Sequence, residues 1–240
     1  MIALKPSVLK KITPEIIRKG LLAGLFLGTG YIFQTLGLAI AGAAITGFIT
    51  GLYVVSTPLI AWIVLRQKID RYTWGCVITA TAGLALLSLH GWSVGYGELL
   101  VLVSAIAFGA HIVALGHWSN GLNSYAMTVV QLTGCAILTG ILAFAEGYEL
   151  PAGNSGWPVV IYTAIFCTAI AFMVQTWSQA HISSTKVAVI LTMEVVFAAL
   201  FAVLFGGETI RAQALLGGIL VLVAMFAIVK PREVEVNNGN

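Results

Sequence analysis

The stretch Val187 to Phe205, VAVILTMEVVFAALFAVLF, carries a single ionisable side chain, Glu194, and this decides how the chain is read. At about 1.5 Å per residue the run is long enough to cross a hydrocarbon layer roughly 30 Å thick. Lys186 precedes it, and the rise from there to Glu194 is roughly 12 Å, which puts the carboxylate near mid-depth. A charge at that depth costs about 3 kcal/mol on insertion scales, so it should face a protein interior or a water-filled path. Two roles fit: a functional carboxylate lining a cavity, or a protonated acid bridging helices by a hydrogen bond.

The rest of the chain repeats the pattern. Of 240 residues, 59% are hydrophobic and 9% charged, and mean hydropathy is +0.99. Soluble domains carry about 25% charged residues, so this is an all-α, polytopic membrane protein. Eight runs can span a bilayer: 20–40, 43–65, 72–89, 99–118, 124–145, 157–180, 185–205 and 212–229. Thr13, Pro14 and Glu15 read as an N-cap and first turn, so the first helix should begin near residue 14. Cys76, Cys135 and Cys167 lie singly inside apolar runs, without metal or disulfide spacing. No metal site or cofactor is expected. No cleavable signal sequence is visible.

Basic residues set the orientation. Lys5, Lys10, Lys11, Arg18, Lys19, Arg66, Lys68, Arg71, Lys186, Lys230 and Arg232 all fall on one side of eight alternating spans. Arg211 falls on the other, with Glu98, Glu146, Glu149 and Glu208. The positive-inside rule places both termini in the cytoplasm. Because the basic residues sit in gaps between spans, with a net charge of only +3, the partner is the bilayer and not nucleic acid. Trp92 and Trp157 at outer ends, and Trp74 and Trp118 at inner ends, suit interfacial belts.

An internal repeat is legible at an offset of 141 residues. Gln34 and Thr35 match Gln175 and Thr176, Ile49 matches Ile190, Val54 and Val55 match Val195 and Val196, and Tyr53 stands opposite Glu194. The copies run in opposite directions, the arrangement of inverted-repeat transporters with midplane sites. Residues 1–90 then hold an incomplete first repeat of three helices, 91–232 a second of five, and 233–240 a short polar tail. Polar stripes at helical spacing converge on a central cavity: Thr46, Thr50, Tyr53 and Thr57; Ser104 and His111; Thr128 and Gln131; Thr168, Gln175 and Gln179. The substrate-binding candidates are Gln34, Thr50, Tyr53, His111, Gln131, Thr168, Gln175 and Glu194. Each has a plainer alternative, since Ser and Thr bond their own helix backbone and Gln bridges neighbours. Gly20, Gly24 and Gly28, with the pair Gly47 and Gly51, are read as close-packing positions, and Pro58 as a bend or a tolerated membrane proline.

Four stretches carry a resemblance: LGTGYIFQTLGL (27–38), GLYVVSTPLIAWIVLRQKI (51–69), GELLVLVSAIAFGAHIVALG (97–116) and LTMEVVFAALFAVLFGGETI (191–210). They resemble the EamA branch of the drug/metabolite transporter superfamily, over about residues 19 to 230. The resemblance implies a carrier of two inverted five-helix halves, commonly an exporter of amino acids or other small metabolites. It implies that Glu194 matches the family's glutamate in the ninth helix. Val195 stands where the family usually has proline, which argues against a helix bend there. Met1 to Lys19 looks like the loop between the family's second and third helices, so the first two helices are expected to be missing, through a misplaced start, a fragment or a shortened protein, the first two being favoured.

The function read from these features is a secondary exporter of small metabolites in the bacterial inner membrane, with a small-molecule substrate and no enzymatic activity. No Gly-rich run ends in Gly-Lys-Ser/Thr, so no nucleotide drives it. The alternatives are a non-transporting membrane interaction protein or inactive fragment, and an intramembrane enzyme using Glu194 with His111. The enzyme reading lacks a second intramembrane acid.

Overall fold

In a computed structural model of the chain, residues 6–88, 95–147, 156–206 and 212–229 are described. The readings placed on Lys5, Trp92, Glu149, Glu208, Arg211, Lys230, Arg232 and the tail 233–240 lie outside those residues.

Every regular element among the described residues is helical. A short 3-10 turn, Pro6–Lys11, leads into α1, Pro14–Ala41. The Thr13 hydroxyl accepts from the Ile16 backbone N–H at 3.3 Å with Pro14 behind it, as the sequence predicts. Gly42, at φ +78°, turns the chain out of α1 into α2, Ala43–Gly51. Then follow α3, Tyr53–Leu65; α4, Arg71–Ser88; α5, Tyr96–Trp118; and α6, Ser124–Glu146. A long crossing comprises α7, Gly156–Tyr162, a π-helical segment, Thr163–Ile170, and α8, Ala171–Gln179. The chain continues as α9, Ser184–Leu191; α10, Met193–Gly206; and α11, Ala212–Val229. Joined end to end, α2–α3, α7–α8 and α9–α10 are single interrupted crossings, so the eight predicted runs are all helical. Among the described residues five stretches are long and apolar enough to cross a membrane: 14–41, 45–65, 96–118, 124–145 and 156–179.

The helix ends follow local chemistry. Arg66 closes α3 in the left-handed region, and the Gln67 N–H returns to the Ala61 carbonyl at 3.2 Å. Gly95 N–H donates to Glu98 at 3.0 Å at the start of α5. The Asn123 side chain accepts from Ala126 N–H at 2.9 Å at the start of α6.

Three apolar clusters hold the bundle. The largest joins α4 and α11 to the α2–α3 and α9 crossings through Val54, Val77, Ala80, Leu84, Val189, Val221 and Ala224. A second ties α1 to α5 and α6 through Ile16, Ala23, Leu115 and Met127, and a third sets Leu27 and Cys135 against Phe172. Small residues bring backbones together, as expected where lipid supplies no hydrophobic drive between helices. A Cβ on Gly24 would lie 2.4 Å from the Gln131 carbonyl oxygen, and one on Gly83 2.7 Å from that of Gly217. The reading of Gly20, Gly24 and Gly28 as a packing seam against α6 therefore holds, and Gly51 meets Leu84. Gly47 is a correction: nothing lies within 4 Å of its Cβ position, because it points away from the neighbouring helices. Outward positions are apolar, including Ile63, Val64, Phe144 and Phe226, the surface a lipid solvent requires. The 156–179 crossing is the barest, with 6% of its central window buried against 56% for α5.

Candidate functional site

Two crossings are interrupted in the same manner. At Leu52 the chain makes a tight turn in which Leu52 N–H reaches Ile49 O at 3.1 Å and Val55 N–H reaches Leu52 O at 2.9 Å. At Thr192 the same pair recurs: Thr192 N–H to Val189 O at 3.3 Å, and Val195 N–H to Thr192 O at 3.2 Å. The bonds step back three residues instead of four, so each α-helical ladder is broken and restarts. The breaks lie 140 residues apart, one short of the sequence register, while α2 and α9 begin 141 apart. Pro58 is not the break. It is buried within the second turn of α3, and the interruption lies one and a half turns before it. Nor does the break at Thr192 depend on a proline at 195, since Val195 N–H is itself bonded there.

Three of the predicted residues, Thr50, Tyr53 and Glu194, lie within two residues of these breaks, and a fourth is bonded to one of them. Gln34 on α1 donates to the Thr50 hydroxyl at 3.1 Å, joining α1 to the last turn of α2. Tyr53 opens α3 and is buried in the largest apolar cluster, with Met193 and Val195 packed against that cluster on either side of Glu194. Glu194 lies in the first turn of α10. Its side chain is exposed. Tyr31, on α1, packs edge to face on Phe108 of α5, ring centroids 5.4 Å apart and planes at 78°. Sequence reasoning missed Tyr31. The available signal was its place three residues before Gln34, on the same face of α1.

The other predicted residues form a different structure. His111 Nε2 meets Gln131 Oε1 at 2.9 Å, and Gln131 Nε2 donates to the Thr176 hydroxyl at 2.8 Å, which donates to the Phe172 carbonyl at 2.7 Å. His111, Gln131 and Thr176 are all buried, so this chain of bonds is a closed bridge between α5, α6 and α8. With Gln131 Oε1 as acceptor, His111 carries its proton on Nε2. Gln175 donates to Gln179 at 3.3 Å, and Gln179 to the Ile112 carbonyl at 2.6 Å. Thr168 is half-buried in the π-helical segment. The predicted residues thus divide into those at or bonded to the two breaks and a separate, largely buried bonded network between α5, α6 and α8. A separate hollow of about 450 Å³, lined by Asn123, Tyr125, Met173 and Trp177 among others, holds none of the predicted residues. Among the described residues no three His, Cys, Asp or Glu side chains are placed to hold a metal ion.

The profile of the EamA-like transporter family matches residues 1–89 and 95–230. The chain belongs to that family. It is also 33% identical over 212 residues to an uncharacterized transporter of Archaeoglobus fulgidus (strain ATCC 49558 / DSM 4304 / JCM 9628 / NBRC 100126 / VC-16), a match covering 88% of this chain and 68% of that protein. A crystal structure of a protein superposes with a TM-score of 0.73 at 14% identity, covering 95% of this chain and 91% of that one; at that identity the likeness concerns the fold alone. The EamA-like chain is therefore a multi-pass membrane transporter, and family and relative alike point to transport rather than catalysis.

Proposed function

We propose that this EamA-like protein is a secondary exporter of small metabolites, amino acids or related compounds, with Glu194 at its substrate site. One observation supports the reading: two crossings are interrupted alike, with Glu194 two residues after one break and the Gln34–Thr50 bond two residues before the other. Interrupted helices meeting near the midplane are how secondary transporters assemble sites, because the broken ladder frees polar backbone for a ligand. The contacting set is Gln34, Thr50, Tyr53 and Glu194, with Tyr31 added. His111, Gln131 and Gln175 brace the helices behind it, and Thr168 lines the crossing beside them.

The chain divides into two inverted repeats, 1–90 with three crossings and 91–232 with five. Recurrence of the helix break supports this, as does the packing of α4 on α11. Those two helices share the 141-residue register in their described parts, and the register mates Ala80 and Val221 are both fully buried in one cluster. Matched elements meeting each other is what a two-fold axis between repeats requires. Both termini are cytoplasmic, and the membrane is the bacterial inner membrane.

The test is flux of radiolabelled amino acids in proteoliposomes at matched protein levels. The wild-type chain should transport, Glu194→Gln should reduce flux at least about tenfold, and both should melt alike. Glu194→Gln transporting as well as wild type would remove the carboxylate from the mechanism. Absence of flux in the wild type, with binding partners recovered instead, would favour an assembly protein.

A further inference from the structure

The hollow of about 450 Å³ between α6 and α8 has no part in the transport reading. Leu122, Asn123, Ser124 and Tyr125 form its α6 wall, and Met173, Val174 and Trp177 its α8 wall. Val174 and Trp177 are exposed, so the hollow opens sideways on the surface that faces lipid. Its depth follows from the helix ends. α6 starts at Ser124 and α8 ends at Gln179, and Met173 lies roughly 9 Å of helix rise from that end. The hollow therefore reaches from the membrane surface a short way into the hydrocarbon. The short turn Pro6–Lys11 meets the same corner, since Val8 is buried in the cluster against which Leu122 and Tyr125 pack. That turn ends in Lys10 and Lys11, both exposed, while Glu15, the next acid along the chain, is paired with Lys19. Asn123 Oδ1 accepts from the Ala126 N–H, and its amide N–H groups remain donors. Trp177 is braced by His181: their ring centroids are 4.7 Å apart, and His181 Nδ1 donates to the Trp177 carbonyl at 2.7 Å.

Apolar walls, two aromatic rings at interfacial depth and lysines beyond one end select an amphiphile. Tyr and Trp sit at headgroup level because their rings are apolar on one side and polar on the other. A basic pocket between membrane helices on the cytoplasmic side takes anionic lipid heads. A soluble anion would leave the faces of Leu122, Met173 and Val174 uncovered, and a wholly apolar molecule would leave the lysines and Asn123 unused. We infer that the hollow is a site for an anionic phospholipid of the cytoplasmic leaflet. One acyl chain lies against Met173, Val174 and Trp177, and the phosphate sits at the Asn123 end, within the field of Lys10 and Lys11. The leaflet rests on the orientation given above; the site itself depends neither on the substrate nor on Glu194.

Quenching of Trp177 by brominated acyl chains tests it. The full chain in phosphatidylcholine nanodiscs receives increasing fractions of brominated phosphatidylglycerol or, separately, of brominated phosphatidylcholine. The difference between wild type and Trp177→Phe isolates the signal of Trp177. Nanodiscs offer lipid to both faces, so the result does not depend on orientation, and flux plays no part in it. Half-maximal quenching should need at least about fivefold less of the anionic lipid, the scale of one or two lysines near a headgroup. Lys10→Gln with Lys11→Gln should remove most of that preference. Lys68→Gln with Arg71→Gln, basic residues outside the turn, should leave it. Val174→Phe puts a larger side chain into the hollow and should abolish the preference while both lysines remain, provided it melts with the wild type; Met173→Phe serves the same purpose if it does not. Glycerol 3-phosphate at millimolar concentration should not relieve the quenching, because a headgroup without a chain leaves the walls bare. Equal curves for the two lipids, a preference indifferent to Lys10 and Lys11 or to filling of the hollow, equal loss in the Lys68 and Arg71 control, no quenching of Trp177, or relief by glycerol 3-phosphate overturns the inference.

Discussion

Replacing Gln131 by leucine should destabilise the bundle by about 2–4 kcal/mol, and the structure says how. The two side chains are close in volume, so the change opens no cavity. Two interhelical bonds are lost, to His111 at 2.9 Å and to Thr176 at 2.8 Å. In a bilayer such bonds average about 0.6 kcal/mol each, so their loss accounts for about 1 kcal/mol. The greater cost lies in the group left without a partner. The Thr176 hydroxyl keeps its bond to the Phe172 carbonyl, but the His111 Nε2 proton is stranded in a fully buried position, at a cost of about 1–3 kcal/mol. If so, removing the stranded donor should repair most of the damage. The double variant His111→Phe with Gln131→Leu should be more stable than the sum of the single changes by about 1–2 kcal/mol. Equilibrium unfolding in mixed detergent micelles, followed by circular dichroism, measures all four corners of the cycle. Strict additivity, or a Gln131→Leu effect below about 0.5 kcal/mol, would refute the view that this network is a sealed brace.

Three further outcomes are expected. Gly24→Ala should cost about 1–3 kcal/mol in the same assay, since the new Cβ meets backbone atoms of Gln131 and Cys135 and α1 must move; an unchanged stability would remove the seam between α1 and α6. Gly47→Ala should be neutral or stabilise by up to about 1 kcal/mol, because its Cβ meets nothing and alanine favours helix; a loss above about 1 kcal/mol would show an unrecognised contact. In a background with Cys76, Cys135 and Cys167 replaced, a membrane-impermeant maleimide added outside should label Gly95→Cys and not Lys68→Cys, and outside labelling at Lys68 would sink the topology.

The class of fold was readable because lipid imposes a simple rule. Runs of about twenty apolar residues can satisfy their backbone only as helices, and charge in the gaps orders them. The Thr13 cap and the Gly20, Gly24 and Gly28 seam were readable for the same kind of reason, each being a local demand of helix geometry. What was not readable was how each polar stripe is used. Gln34 and Gln131 look alike on a helical wheel, yet one joins α1 to a helix break and the other is enclosed between His111 and Thr176. Which of the two a glutamine does depends on helices distant in sequence, and spacing along one helix carries no information about them. The same limit hid Tyr31, whose ring contact is with Phe108 of α5, distant in sequence. The break at Thr192 was hidden differently. Proline is the visible sign of an interrupted membrane helix, and here the interruption exists without one.

That unmarked break changes what a carboxylate at mid-membrane can do. In an unbroken helix Glu194 would lie between Lys186 and the end of the apolar run, where no helix terminus could help it. With the ladder restarted at Met193, the same residue falls in the first turn of a new helix. The amino end of a helix carries about half a positive charge, and a carboxylate in its first turn is stabilised by about 0.3–2 kcal/mol, most where water is scarce. This offsets a good part of the roughly 3 kcal/mol that an ionised group at that depth costs. The register mate of Glu194 at the other break is Tyr53, a neutral phenol at the first residue of α3. The two breaks therefore offer matching helix starts, and only the one at Met193 carries an acidic side chain in its first turn.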